Sequence, residues 1–169
     1  MSREFIISIG NSTVISATTL VLLTPASAPN PSIEFLRFWV GQSANATSAQ
    51  QRLQIVTQIS SWPTVAAFTP KALKRSDQVA SVITGFVSNA IAGAGINATV
   101  EGGGTKTIIL EDAFNVLNGW LHVPTPPETI SMGANPLVSS ALAAGLELFF
   151  STAPTTLTGW SWGLTYREV

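Results

Sequence analysis

The apolar residues of this chain fall in short runs that alternate with polar ones, and clusters of Pro, Gly, Asn and Ser separate the runs. A period of two marks a β-strand, whose successive side chains point to opposite faces. Residues 33–41 (IEFLRFWVG) place Ile33, Phe35, Arg37 and Trp39 on one face and Glu34, Leu36, Phe38 and Val40 on the other. The second face is mostly apolar, so a strand buried on both sides is expected. In residues 52–59, Leu53, Ile55 and Thr57 oppose Gln54, Val56 and Gln58. Phe5, Ile7 and Ile9 alternate as well, and residues 13–23 are rich in Val, Ile, Thr and Leu. A short strand over 105–110 follows three glycines at 102–104, which read as a hairpin turn. Residues 120–123, 142–151 and 159–167 complete about eight strands. Strands at that spacing predict an all-β chain, a β-sandwich or barrel in one domain over 1–169.

Residues 76–95 break the period. Val79, Val82, Ile83, Phe86, Val87, Ala90 and Ile91 recur every three or four positions, the spacing of one helical face. The pattern predicts a short amphipathic helix over about 77–91. Ser76 caps its start, Asp77 sits in the first turn, and Gly93 or Gly95 ends it. It lacks the basic polar face of a membrane-surface helix. The first 28 residues have the outline of a secretory signal, with Arg3, an apolar stretch and Ala-Ser-Ala ending at Ala28. Glu4 and the hydroxyls of Ser16, Thr18 and Thr19 favour two strands instead. No run approaches about 18 apolar residues, so no membrane-spanning helix is expected.

Charge is scarce. Only 10 % of residues are Asp, Glu, Lys or Arg, the net charge is −1, and nothing charged lies between Glu4 and Glu34 or between Glu128 and Glu147. The polar surface must come from Ser, Thr, Asn and Gln, which suits contact with other protein. Such a chain has no electrostatic attraction for nucleic acid. Lys71, Lys74 and Arg75 form the only basic cluster, without interleaved aromatics.

The residues that carry chemistry are missing or isolated. There is no cysteine, hence no disulfide, thiolate ligand or thiol nucleophile. The one histidine, His122, lies between Leu121 and Val123 in an apolar run, and no Gly-x-Ser-x-Gly elbow accompanies it. One histidine cannot build a zinc site. Glu111 and Asp112 are adjacent, so on a strand they point apart. The segment Gly102–Lys106 lacks the spacing of a phosphate loop and runs into a strand pattern. No enzyme, metal or cofactor is expected. Residues 111–128 (EDAFNVLNGWLHVPTPPE) read as scaffold, with Trp120 and His122 anchored and Pro124, Pro126 and Pro127 stiffening the exit. Asp112 and Asn115 hydrogen-bond nearby backbone and set the bend before Trp120. Trp160 and Trp162 share a strand face. Exposed, they would suit sugar stacking; buried, they are core or subunit contact.

Several segments carry a resemblance. GQSANATSAQQRLQI (41–55), FTPKALKRSDQVA (68–80), EDAFNVLNGWLHVPTPPE and LTGWSWGLTYREV (157–169) look like a family of small proteins encoded in phage and prophage genomes. Size and strand pattern are also similar to the single jelly-roll capsid proteins of tailless, membrane-containing icosahedral phages such as those of Thermus. The resemblance implies a jelly-roll fold and a virion structural subunit, made in the bacterial host cytoplasm. It would associate with itself and with other capsid proteins, close to an internal membrane that it does not span. It places Trp120, His122, Pro124, Pro126, Trp160 and Trp162 in structural or interface roles. The alternative is a carbohydrate- or receptor-binding β-sandwich module on a phage particle.

Overall fold

The structure is a computed structural model that describes residues 3–24, 33–44, 47–58, 61–73, 81, 93–125, 130–132 and 145–169. Its elements are β1 (Arg3–Ser12), β2 (Thr18–Thr24), β3 (Ile33–Gln42), β4 (Gln50–Gln58), β5 (Thr64–Ala67), β6 (Lys71–Ala72), β7 (Gly93–Val100), β8 (Lys106–Asn115), β9 (Trp120–His122), β10 (Ser131–Met132), β11 (Gly145–Phe150) and β12 (Trp160–Glu168). They form two six-stranded antiparallel sheets. One runs β10-β3-β12-β1-β6, with β9 also paired to β3; the other runs β5-β7-β2-β11-β4-β8. The all-β sandwich expected from the alternating runs is present, and each expected strand has its counterpart.

Four long-range pairings nest inside one another. β4 pairs β8, β3 pairs β9, β2 pairs β11 and β1 pairs β12, all antiparallel. The chain therefore resembles one long hairpin rolled so that successive nested pairs fall on alternate sheets. Between the sheets lie Phe5, Ile7, Leu23, Phe35, Phe38, Ile55, Leu148, Phe150, Trp160, Trp162 and Leu164, each at most 1 % exposed. Burial of side chains this large, each worth about 2 kcal/mol or more, is what holds the two layers together.

The structure corrects the sequence reading in four places. On β3, Thr165 pairs Arg37 while Tyr166 pairs Phe35, so Leu36 is an extra residue. This bulge shifts the alternation by one. Ile33, Phe35, Phe38 and Val40 all turn into the core, while Arg37 is exposed and Trp39 half-buried on the outer face. A strict period of two had put Phe35 and Phe38 on opposite faces.

Gly102–Gly104 do not form a hairpin turn, because β7 and β8 do not pair. Residues 101–105 are a crossover from the β5–β7 end of the sheet to its far edge at β8. Gly102 is needed there: a Cβ would stand 1.7 Å from the Ser61 carbonyl oxygen.

The strand expected over 105–110 continues to Asn115, since its register with β4 runs on to Gln50. Finally, β5, β6, β7 and β10 were not foreseen. Gly93, assigned to the end of a helix, opens β7. Two glycines give β7 little intrinsic preference for a strand; hydrogen bonding to β2 and β5 on either side supplies it. The expected helix over 77–91 lies outside the described residues, apart from Ser81. That serine is buried, with its Oγ 2.7 Å from Tyr166 Oη and 2.6 Å from Glu168 Oε1.

Candidate functional site

The stretch 111–125 forms one side of the sandwich. The side chain of Asn115 makes the bend, its Oδ1 accepting from the Leu117 amide at 3.0 Å while its carbonyl accepts from Asn118. This is the role expected of it. Asp112 also bonds nearby backbone as expected, its Oδ1 accepting from the Ala113 amide at 2.7 Å, and it does more. It sits within β8, and its Oδ2 accepts a 2.9 Å hydrogen bond from Trp120 Nε1 in β9. β8 and β9 belong to opposite sheets, so the pair ties the two layers together at their open side. His122 stacks on Trp120 at 5.9 Å between centroids and leans on Phe38 at 6.3 Å. Its ring is held by aromatic contact within a sheet edge. Pro124 is half-buried just beyond β9, and Pro126 lies outside the described residues.

Five outward side chains over 108–123 are aliphatic, alongside exposed Glu111, Asp112 and Asn118. Ile108, Ile109, Leu117, Leu121 and Val123 are 45–63 % exposed, and they make up half of the ten large apolar side chains that stand out into solvent among the described residues. Among the described residues β8 is also the last strand of its sheet, and no described strand pairs its outer edge. A bulge at Ile109, where Leu110 pairs Ile55 but Ile108 pairs Val56, interrupts that edge.

Trp160 and Trp162 are in the core, fully buried. Trp160 packs edge-on against Phe150 and Phe114, and its Nε1 donates to the Thr156 carbonyl at 2.7 Å. Trp162 Nε1 donates to the Leu20 carbonyl of the opposite sheet at 3.1 Å. Leu20 is itself an extra residue in β2, between Thr19 and Val21, so the indole satisfies a carbonyl displaced by a bulge. Neither ring can stack on a sugar.

A second site was not anticipated. On the face of the β2–β11–β4 sheet that points away from the core, Glu147 is buried completely. Its Oε2 lies 2.7 Å from Lys106 Nζ and 3.1 Å from Thr19 Oγ1. Lys106 also reaches Glu101 Oε2 at 2.6 Å and sits 3.9 Å above the Phe149 ring. Glu101, in the crossover, accepts the Thr19 amide on Oε1 at 2.6 Å. Burial pushes the Glu147 carboxyl above its usual range, against the pull of Lys106 and Thr19. Burial acts on Glu101 too, but hydrogen bonds from Lys106 and Thr19 outweigh it and hold that carboxyl below its usual range. A signal for this cluster exists in the sequence. Glu147 is a lone charge in an apolar strand flanked by an uncharged run, and such a charge needs a buried cation.

No group of three or more His, Cys, Asp or Glu among the described residues is placed to hold a metal ion, and no helix among them is long and apolar enough to cross a membrane. No family model matches the chain, and neither does any curated protein or solved structure.

Proposed function

We propose that this chain is a structural subunit of a phage shell, a single jelly roll that associates with copies of itself. The observation that carries the reading is the strand order. β1-β12-β3-β9 faces β2-β11-β4-β8, with the first four strands paired in reverse order to the last four. That order supports an eight-stranded jelly roll, an architecture used by viral capsid and lectin domains. The aliphatic side at β8 and β9 supports self-association, because an aliphatic patch needs no matching charge on its partner. A surface with so few charges is compatible with extensive protein contact. The carbohydrate-binding alternative rested on an exposed Trp160–Trp162 pair, and both rings are in the core.

Immunogold electron microscopy tests the reading, with an antibody raised against this chain and applied to particles released from cultures that express it. Dense, regular labelling of particle shells is expected. Labelling confined to spikes or tails would favour a receptor-binding role. Particles that carry no label would remove the shell reading.

A further inference from the structure

The cluster around Glu147 does more than neutralise a buried charge. It contains two carboxylates, Glu101 and Glu147, and one ammonium, Lys106. From β2 the group facing Glu147 is the uncharged Thr19, and its paired neighbours on β2 and β4 are Leu22 and Val56. The next charges along the face are Arg52 and Glu111, 3.5 Å apart and largely solvated. With both carboxylates ionised, the cluster carries a net charge of −1 in a site where Glu147 is fully buried. Among the described residues Glu147 Oε1 is buried and has no hydrogen-bond partner.

Thr19 limits what the cluster can satisfy. Its single hydroxyl proton is shared between Glu101 Oε2 at 2.8 Å and Glu147 Oε2 at 3.1 Å. It can go to only one of them. Glu101 is also the side chain that fastens the crossover 101–105 to β2, through the Thr19 amide. The crossover meets the loop between β4 and β5 at Gly102, and Trp62 of that loop lies over Gly145. Leu22 and Val56, which pair with Glu147 and face away from the core, are fully buried.

We propose that the crossover 101–105 is a proton-latched strap, closed over the outer face of the sheet while Glu147 holds a proton and loosened when that proton leaves. With Glu147 neutral, Lys106 and the Thr19 hydroxyl both serve Glu101, and the cluster is balanced. With Glu147 ionised, the two carboxylates compete for the Lys106 ammonium and the Thr19 hydroxyl and repel each other, while the Thr18 hydroxyl reaches only Glu101 of the two. Glu101 then loses part of its hold. The closed strap binds the Glu147 proton more tightly than the open one does. Opening therefore grows as pH rises above the ordinary carboxylate value of 4.5 and levels off above the closed-state value.

The Thr19 amide reports on the strap, because its acceptor is Glu101. Its hydrogen-exchange protection factor, measured by NMR between pH 4.5 and 8 and corrected for intrinsic exchange, is expected to fall about tenfold for each unit by which closure raises the Glu147 pKa. In Glu147→Gln, a neutral mimic of the protonated acid, protection should stay high and flat with pH. In Glu101→Gln it should be low throughout. A wild-type factor constant over this range would overturn the proposal, and so would the same fall in Glu147→Gln.

Discussion

Trp120 Nε1 and Asp112 Oδ2, 2.9 Å apart, join the edge strands of two different sheets. Beside this bond, Phe114, Val116 and Trp120 pack that side of the sandwich against the core. Asp112 also accepts its neighbour's amide, from Ala113, on Oδ1 at 2.7 Å. Asp112→Ala should destabilise the fold by about 1 kcal/mol, the usual net worth of a hydrogen bond, here between a buried indole and an exposed carboxylate. Asp112→Asn keeps an acceptor for the indole and should cost less. Urea denaturation followed by tryptophan fluorescence measures both, and equal losses for the two variants would show that the indole bond is not what matters.

The pair Trp162 and Leu20 predicts a larger effect. Trp162→Phe removes a donor and leaves the buried Leu20 carbonyl, out of line with its own ladder, without the indole. Leaving a buried acceptor unsatisfied costs about 1–3 kcal/mol, and the smaller ring adds a cavity. A loss of about 3 kcal/mol in urea unfolding is expected. A near-neutral result would mean that the bulge relaxes to recover its carbonyl.

Much of this architecture is legible from the sequence, and the parts that are not share a cause. The strands β1, β3 and β4 were marked by alternation, because one face of each packs on the core. The bulge at Leu36 was not, because a bulge shifts the phase of the alternation without changing residue types: Arg37 and Trp39 look no different on either face. β7 was hidden because Gly93 and Gly95 carry no apolar signal and the strand depends on its neighbours' hydrogen bonds. In the candidate site, residues 111–128 were read as scaffold, but the partnership of Asp112 with Trp120 depends on two sheets meeting, which eight residues of spacing do not reveal. The Glu147 cluster was missed for the same reason. Its members come from β2, β8, β11 and the crossover, and only the lone acid in an apolar strand announced it.

Gly163 occupies a position in β12 that no other residue fits. A Cβ there would stand 2.3 Å from the Ile7 carbonyl oxygen and 2.3 Å from Trp39 Cζ2. The indole lies over the glycine on the outer face, while β1 presses from the side. Gly163→Ala should cost about 3 kcal/mol, the upper end for overpacking. Adding Trp39→Ala should recover only part, since the clash with backbone remains. Full recovery in the double variant, measured by urea unfolding, would place the whole strain on the indole.

The aliphatic side predicts a separation of stability from association. Ile108 and Leu121 are 51 % and 63 % exposed, so Ile108→Lys and Leu121→Lys should change stability by no more than about 0.5 kcal/mol. Each places a charge where the proposed contact between copies needs an apolar surface. Light scattering should show self-association for the parent chain and a monomer for the double variant. Association that survives both substitutions would move the contact to another face.

Tyr166 is the only tyrosine in the chain, and its phenol can be watched without interference from another. It is buried, stacked on Phe5 at 5.5 Å, with its hydroxyl 2.7 Å from Ser81 Oγ. Burial raises its pKa well above the ordinary value of 10; the Ser81 hydrogen bond works against the rise, the nearby Glu168 charge adds to it, and Arg3 opposes it. A phenol harder to ionise in the folded state leaves stability intact below pH 10. Above that pH the unfolded chain loses the proton first, and folding weakens as pH climbs toward the folded-state value. Tyrosinate absorbance at high pH should therefore appear in one step with the loss of near-ultraviolet circular dichroism, not before it. Tyr166→Phe removes the ionising group and should shift the alkaline unfolding midpoint upward, after allowing for the lost Ser81 contact in its stability at neutral pH. Tyrosinate formation near pH 10 in a chain that keeps its circular dichroism would show that water reaches the phenol.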